Sequence, residues 1–416
     1  MRTIILLAVT VASGPAPPNP NPYARPASGF EERLYAAAFG EPGGDRALED
    51  FLAANPQLSA ADRAEAFGQL CRDYGFLSWN KLRVAVCTEY QKLKTARGGG
   101  DDDEGMALAF GDQPPTRAIG SATVPLTWNV FGSQSVEIAS NGVTSSWFID
   151  TGAEISVMTE SLAARMKVRP VATSITVGST TADVIGKVGI IDRLQIGSAF
   201  VENVPVLILP DAQLKLGNVH QIDGVFGIQP MVAFGRIAWV NGGRELALGD
   251  AAPKPRPDSL HIYWHDEGVG IPVATKRGLM GAFLDTGANA TYWRSAGLPL
   301  LDPKLIASAK EKIAHVGGAG GVVERKQKEL SSVTFRLGTL PVTLTKVAIA
   351  PPGHVGAAWV GMDAVSQFGT FILDFEQMRV DGRLKTAAER KATHRTVMTE
   401  KDVQLDKKDQ KANPPK

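Results

Sequence analysis

Trp147-Phe148-Ile149-Asp150-Thr151-Gly152-Ala153 and Ala282-Phe283-Leu284-Asp285-Thr286-Gly287-Ala288 decide the reading of this 416-residue chain. In each stretch a short apolar run ends in Asp-Thr-Gly, followed by alanine. A carboxylate at the end of a buried strand, held in a tight glycine turn, is half of a paired-carboxylate site; two copies supply both halves. One such triplet carries little weight in a chain of this length, since average residue usage throws it up by chance. Two in matching contexts carry much more.

The copies belong to a longer internal repeat. Gly224-Val225-Phe226-Gly227-Ile228 follows the first triplet and Ala358-Trp359-Val360-Gly361-Met362 follows the second. Gly227 lies 77 residues after Asp150, and Gly361 lies 76 after Asp285. Phe234-Gly235 and Phe368-Gly369 keep the same step, 134 apart. Three landmarks in register imply a duplicated unit, here residues 120–250 and 258–382. Within each half the order is the same: an apolar strand to the triplet, a short helical segment (Glu160 to Met166; Pro303 to Glu311), alternating strands, then the apolar-apolar-Gly element. The expected fold class is all-β, two homologous closed β-barrel lobes preceded by a small helical domain.

Bulk composition bounds the rest. Residues are 44% hydrophobic and 21% charged, a globular balance, and a net charge of +1 gives no electrostatic case for nucleic acid or an anionic membrane surface. The 43 glycines cluster in turns between apolar runs, as β-structure requires. The two cysteines, Cys71 and Cys87, have no metal-ligand spacing with the six scattered histidines, so no metal site and no cofactor are expected. In an oxidising compartment the cysteines could form one disulfide; two buried thiols are the other reading.

Residues 1–14 have one positive charge, a short apolar core and small residues after it, the layout of a signal peptide; an ordinary buried N-terminal strand is the other reading. An exported chain, periplasmic or secreted, is the expectation, with no membrane span in the mature protein. Residues 15–27 are Pro-rich and read as an extended tether. Residues 28–96 show helical periodicity, with Ser59 and Asp62 as a helix start. Residues 97–119 open with a glycine and aspartate run and read as a flexible acidic linker. Residues 383–416 are charged, lack apolar periodicity and read as a disordered tail.

The two Asp-Thr-Gly-Ala motifs with their downstream glycine elements make residues 120–382 resemble the aspartic proteases. Alanine after the triplet is similar to the retropepsin-like branch, whereas two copies on one chain resemble the two-lobed pepsin layout. The resemblance implies a fused pair of retropepsin-like lobes with pseudo-twofold symmetry, active as a monomer on peptide or protein substrates. It implies Asp150 and Asp285 as the catalytic dyad and an interlock of Thr151 with Thr286. Gly152 and Gly287 would shape the loops, with Gly227 and Gly361 passing behind them. The alternative is a peptide-binding module of this fold that has lost turnover.

Two carboxyls at hydrogen-bonding distance share one proton, which lets one take a proton from water while the other donates to a carbonyl. Alanine at 153 and 288 withholds a hydroxyl donor from the carboxylates, so an optimum at roughly pH 4–6.5 is expected. Candidate flaps are Thr176 to Asp183, with Gly178 and Ser179, and His315 to Gly321, with Gly317 and Gly318; two ordinary hairpin turns are the other reading. Glu154 and Asn289 follow the motifs, where a turn or surface role and a catalytic one are the two readings. His261, His265, His315 and His354 have no partner nucleophile in the sequence. The helical segment reads either as a prosegment, with Lys81, Lys92 or Lys94 reaching the dyad, or as a partner-binding module.

Overall fold

A computed structural model describes residues 4–5, 22–95, 102–129, 132–179, 183–216, 220–265, 268–319, 321–350 and 357–392. From residue 22 onward the described chain runs first as helices and then as β-structure. Helices α1 (Phe30–Ala38), α2 (Gly44–Ala54), α3 (Ala60–Phe76) and α4 (Asn80–Thr95) form the expected bundle. The Ser59 hydroxyl accepts from the Asp62 amide at 3.1 Å, so the helix start read from the sequence is an N-cap. Leu48, Leu70, Tyr74 and Cys87 fill the bundle's own buried cluster.

Cys71 and Cys87 form a disulfide between α3 and α4. It closes a loop of 16 residues, for which loss of the link costs about 3 kcal/mol. Replacing both cysteines by alanine is expected to lower the bundle's unfolding free energy by about that amount, read as faster amide exchange in α3 and α4. Unchanged exchange would remove the disulfide from the stability argument.

Three expectations change at the ends of the β-region. The stretch expected as a flexible linker contains a helix, α5 (Asp103–Phe110), because the Asp102 carboxylate caps it through the Gly105 amide at 2.8 Å and Met106, Ala107 and Phe110 are buried. Residues 96–101, where the glycines lie, are outside the described residues. The end of the expected tether is anchored: Tyr23 packs edge-on to Phe39 and Tyr263, and Arg25 pairs with Glu32 and Glu41. The start of the expected tail is ordered too, since a strand runs through Arg379–Leu384 and the Arg383 guanidinium holds Glu389 of the next helix at 2.7 Å. Residues 393–416 lie outside the described residues, as does the expected signal segment apart from Ile4–Ile5, which pair with Val316 and Gly317.

Among the described residues the β-structure forms two nine-stranded sheets, a six-stranded sheet and a two-stranded one. In the first half the strand Val143–Ile149 runs parallel to Gly224–Phe226, which lies antiparallel to Ser156–Thr159. In the second half Gly278–Leu284 runs parallel to Ala358–Val360, which lies antiparallel to Tyr292–Trp293. The helical segments come out as Glu160–Arg165 and Pro303–Ala307, each capped by the side chain before it, Thr159 or Asp302. The second is shorter than expected, because Lys310 and Glu311 already belong to a strand.

The six-stranded sheet takes strands from both halves. Arg236–Val240 lies between Glu245–Leu248 and Phe368–Asp374. The Arg236 guanidinium reaches the fully buried Asp374 carboxylate at 3.4 Å, and its Nε donates to the Ala252 carbonyl at 3.0 Å. One buried cluster, including Trp147, Trp239 and Trp293, runs through both halves. Phe76 of α3 joins it, against Trp264 with ring centroids 4.9 Å apart. The helical bundle is therefore packed onto the β-body.

Candidate active site

The carboxyls of Asp150 and Asp285 meet at the centre of the β-body, each at the C-terminal end of its apolar strand and each 0% exposed. Phe148 and Phe283, two residues before the aspartates, are buried in separate apolar clusters, and each carboxyl lies against the glycine of the opposite loop. The Asp150 amide donates to the Phe226 carbonyl and the Asp285 amide to the Val360 carbonyl, both at 3.0 Å. Each loop is thereby fixed to the strand that passes behind it.

The triplets' threonines cross between the loops. The Thr151 hydroxyl donates to the Leu284 carbonyl at 2.7 Å and accepts from the Thr286 amide at 3.1 Å. The Thr286 hydroxyl donates to the Ile149 carbonyl at 2.9 Å and accepts from the Thr151 amide at 3.0 Å. Four hydrogen bonds thus tie two loops 135 residues apart in sequence. The Ser133 hydroxyl adds a fifth link, donating to the Gly287 carbonyl at 2.7 Å.

The glycines are where chain approaches chain. A β-carbon on Gly152 would come within 2.9 Å of the Asp285 carboxyl, and one on Gly287 would collide with the Asp150 carboxyl. Behind the loops, a β-carbon on Gly227 would lie 2.7 Å from the Ala153 carbonyl, and one on Gly361 2.7 Å from the Ala290 carbonyl. These four positions admit no side chain without moving backbone or carboxylate.

Burial, and next the neighbouring Asp285 carboxyl, push Asp150 well above the usual carboxylate range. The Gly152 amide, donating to Asp150 Oδ1 at 2.8 Å, pulls the other way, as does Gly287. The two carboxyls lie close enough to interact directly, and a hydrogen bond between them requires a proton on one. On the other side the Ala288 amide donates to Asp285 Oδ1 at 2.9 Å. Such a pair can accept a proton from water at one carboxyl and release one from the other.

Residues 135–229 match the aspartyl protease family model. The match supports an aspartic protease family and suggests protease function, for which peptides are the substrates. It covers the first triplet and the Gly227 element. No curated protein matches the chain.

The hairpins expected as flaps are both present. Arg169–Val177 pairs with Val184–Ile196, and Lys310–Gly318 with Gly321–Leu337. Gly178 and Ser179 follow the first strand of one hairpin; Gly317 and Gly318 end the first strand of the other. The Ser179 hydroxyl donates to the Ala319 carbonyl at 2.6 Å, so the two tips touch. Among the described residues no group of acidic, histidine or cysteine side chains could hold a metal ion, and no helix is long and apolar enough to cross a membrane.

Other candidates are placed elsewhere. Lys94 pairs with Asp103 at 2.9 Å and Lys92 with Glu89 at 2.7 Å, while Lys81 is exposed. His315 sits against Glu324 at 3.1 Å on the hairpin. His354 lies outside the described residues. Two hydroxyls went unread in the sequence. Ser156 accepts from the Gly227 amide at 3.1 Å and Thr291 from the Gly361 amide at 3.0 Å, each side chain six residues after its aspartate. Their shared spacing was the available signal.

Proposed function

We propose that the chain is an aspartic endopeptidase, with Asp150 and Asp285 as its catalytic dyad in a site shared by two retropepsin-like lobes about a pseudo-twofold axis. The observation that carries this reading is the buried, adjoining carboxyl pair, one member from each repeat, with the loops held together by Thr151 and Thr286.

The ionised carboxylate takes a proton from a water held between the pair, and the resulting hydroxide attacks the scissile carbonyl carbon. The protonated carboxyl donates to the carbonyl oxygen, giving a neutral tetrahedral diol. Proton transfer to the leaving nitrogen then breaks the carbon–nitrogen bond and restores the shared proton. No covalent enzyme intermediate is formed. The Thr lattice keeps the carboxyls from moving apart during these transfers, and hairpin closure excludes water from the site.

Both carboxyls lie on one chain, which supports activity as a monomer. The N-terminal sequence and the disulfide support an exported protein, periplasmic or secreted.

Digestion of a peptide library across pH, by the full chain and by Asp150→Asn, tests the reading. With its pKa raised by burial and by Asp285, Asp150 keeps the pair's shared proton beyond the ordinary carboxylate range. Cleavage should therefore peak at roughly pH 4–6.5 and fall as the pair loses that proton. A peak below pH 3, or equal cleavage by wild type and variant, would sink the dyad.

A further inference from the structure

The two halves match around the carboxyls but differ in what lies against them. Phe148, Ala153, Ile155, Val157 and Val225 belong to one buried cluster. Their counterparts 134 or 135 residues later, Phe283, Ala288, Ala290, Tyr292 and Trp359, belong to another. Each cluster also takes apolar residues from its own hairpin: Ile175 and Val177 in one, Val316 in the other. The first cluster alone contains Met106 and Phe110 of α5; among the described residues nothing from the helical region joins the second.

The cluster holding α5 reaches both hairpins beside the first carboxyl loop. Ala319, at the tip of the opposite hairpin, belongs to it, and that tip accepts the Ser179 hydroxyl. A second observation places the helices at the same spot. The buried Arg83 of α4 interacts electrostatically with Glu154, which stands between Ala153 and Ile155 just beyond the first carboxyl loop.

α5 is fastened there. The Asp102 amide donates to the Thr176 carbonyl of the first hairpin at 3.4 Å. Asp103 pairs with Lys94 of α4 at 2.9 Å, their side chains only 9% and 6% exposed, and α4 is joined to α3 by the disulfide. Breaking a buried pair of this kind leaves an uncompensated charge, so the helix is held as a fixed part of the body.

We infer that α5 is a wall of the substrate site: Met106 and Phe110 fill the apolar space beside Ala153 and Ile155, so that peptides are taken with a small side chain on that side and a bulky apolar one on the Tyr292–Trp359 side. The inference rests on the peptidase reading and names its substrate class. The asymmetry is chemical as well as steric. Where the first half has Ile155, Val157 and Val225, the second has Ala290, Tyr292 and Trp359, which trades an aliphatic lining for aromatic faces.

The test uses the full chain, wild type and with Phe110→Ala, Met106→Ala or Phe110→Leu. Probes are peptides whose central amide is reduced to a methylene-amine, with phenylalanine fixed on one side of it and alanine or phenylalanine on the other, in both orders. Binding is measured by calorimetry, and cleavage on the matching ordinary peptides. Wild type should bind the peptide with one phenylalanine, in one order, roughly tenfold or more better than the peptide with two. Phe110→Ala should abolish that preference and Met106→Ala, which opens a smaller space, should weaken it, while Phe110→Leu keeps it. Should Phe110→Ala fail to fold, Met106→Ala carries the comparison. Equal binding of both peptides by wild type, an unchanged preference in the alanine variants, or no binding by any of the proteins would each overturn the wall. Selective binding without cleavage in wild type would refute the peptidase reading and leave the wall standing.

Discussion

Asp150→Asn is expected to lower peptide hydrolysis by roughly 10²–10⁴-fold, the span of general acid–base catalysis, while making the protein more heat-stable at neutral pH. The two effects have one cause. Asp150 is fully buried against a second carboxyl, which pushes its pKa well above the usual range. The unfolded chain releases the same proton near its reference value of about 3.9. A group whose folded pKa is raised contributes stability that is complete below the unfolded value and is lost as pH rises through the folded one. Wild type therefore loses stability from about pH 4 upward through this group. Asparagine keeps the shape and some hydrogen bonding, and it never ionises. Melting of both proteins from pH 4 to 8 should show curves that diverge as pH rises, with about 2–4 °C for each kcal/mol gained. Curves that stay parallel would mean that the carboxyl pair is not strained by ionisation. Full hydrolysis by the variant would remove Asp150 from the chemistry.

Thr151→Val should cost about 2–6 kcal/mol, because it orphans two buried backbone groups at once at about 1–3 kcal/mol each. The hydroxyl satisfies the Leu284 carbonyl and the Thr286 amide, and valine offers neither a donor nor an acceptor. Thr286→Val removes the mirror pair, the Ile149 carbonyl and the Thr151 amide. With the lattice broken the loops lose their fixed spacing, and a displacement of about 1 Å at a reacting centre can cost 10²-fold in rate. Thr151→Ser keeps the hydroxyl and should retain most of both properties. Denaturant unfolding and turnover of the Val and Ser variants decide the matter. If Val and Ser behave alike, the crossed hydrogen bonds are not what holds the site.

The centre of the protein was readable in the sequence because chemistry constrains it at residue level. A carboxylate in a buried turn needs a glycine beside it and a glycine strand behind it, and the chain states this twice. The periphery was hidden by the ambiguity of charge. Asp101 to Glu104 read as a solvated run, yet Asp102 caps α5 and Asp103 meets a buried lysine; a carboxylate cap and a linker carboxylate look the same in sequence. The start of the tail was hidden in the same way, since Arg383 and Glu389 are surface-like residues that happen to pair. Ser156 and Thr291 went unread because different residue types do the same work at one spacing. Contacts between distant segments, such as Phe76 on Trp264, leave no local pattern at all.

The six-stranded sheet has a consequence for how this chain must be handled as a folding unit. The strand Arg236–Val240 is completed on one side by Phe368–Asp374, more than a hundred residues later. Until that strand is made, the first half carries an open hydrogen-bonding edge and the buried Arg236 lacks the Asp374 carboxylate. A fragment ending near residue 250 would present that edge to any passing extended chain. The boundary between the repeats is thus a boundary in the gene's arithmetic and not in the fold: the halves can be told apart, but neither is finished without the other.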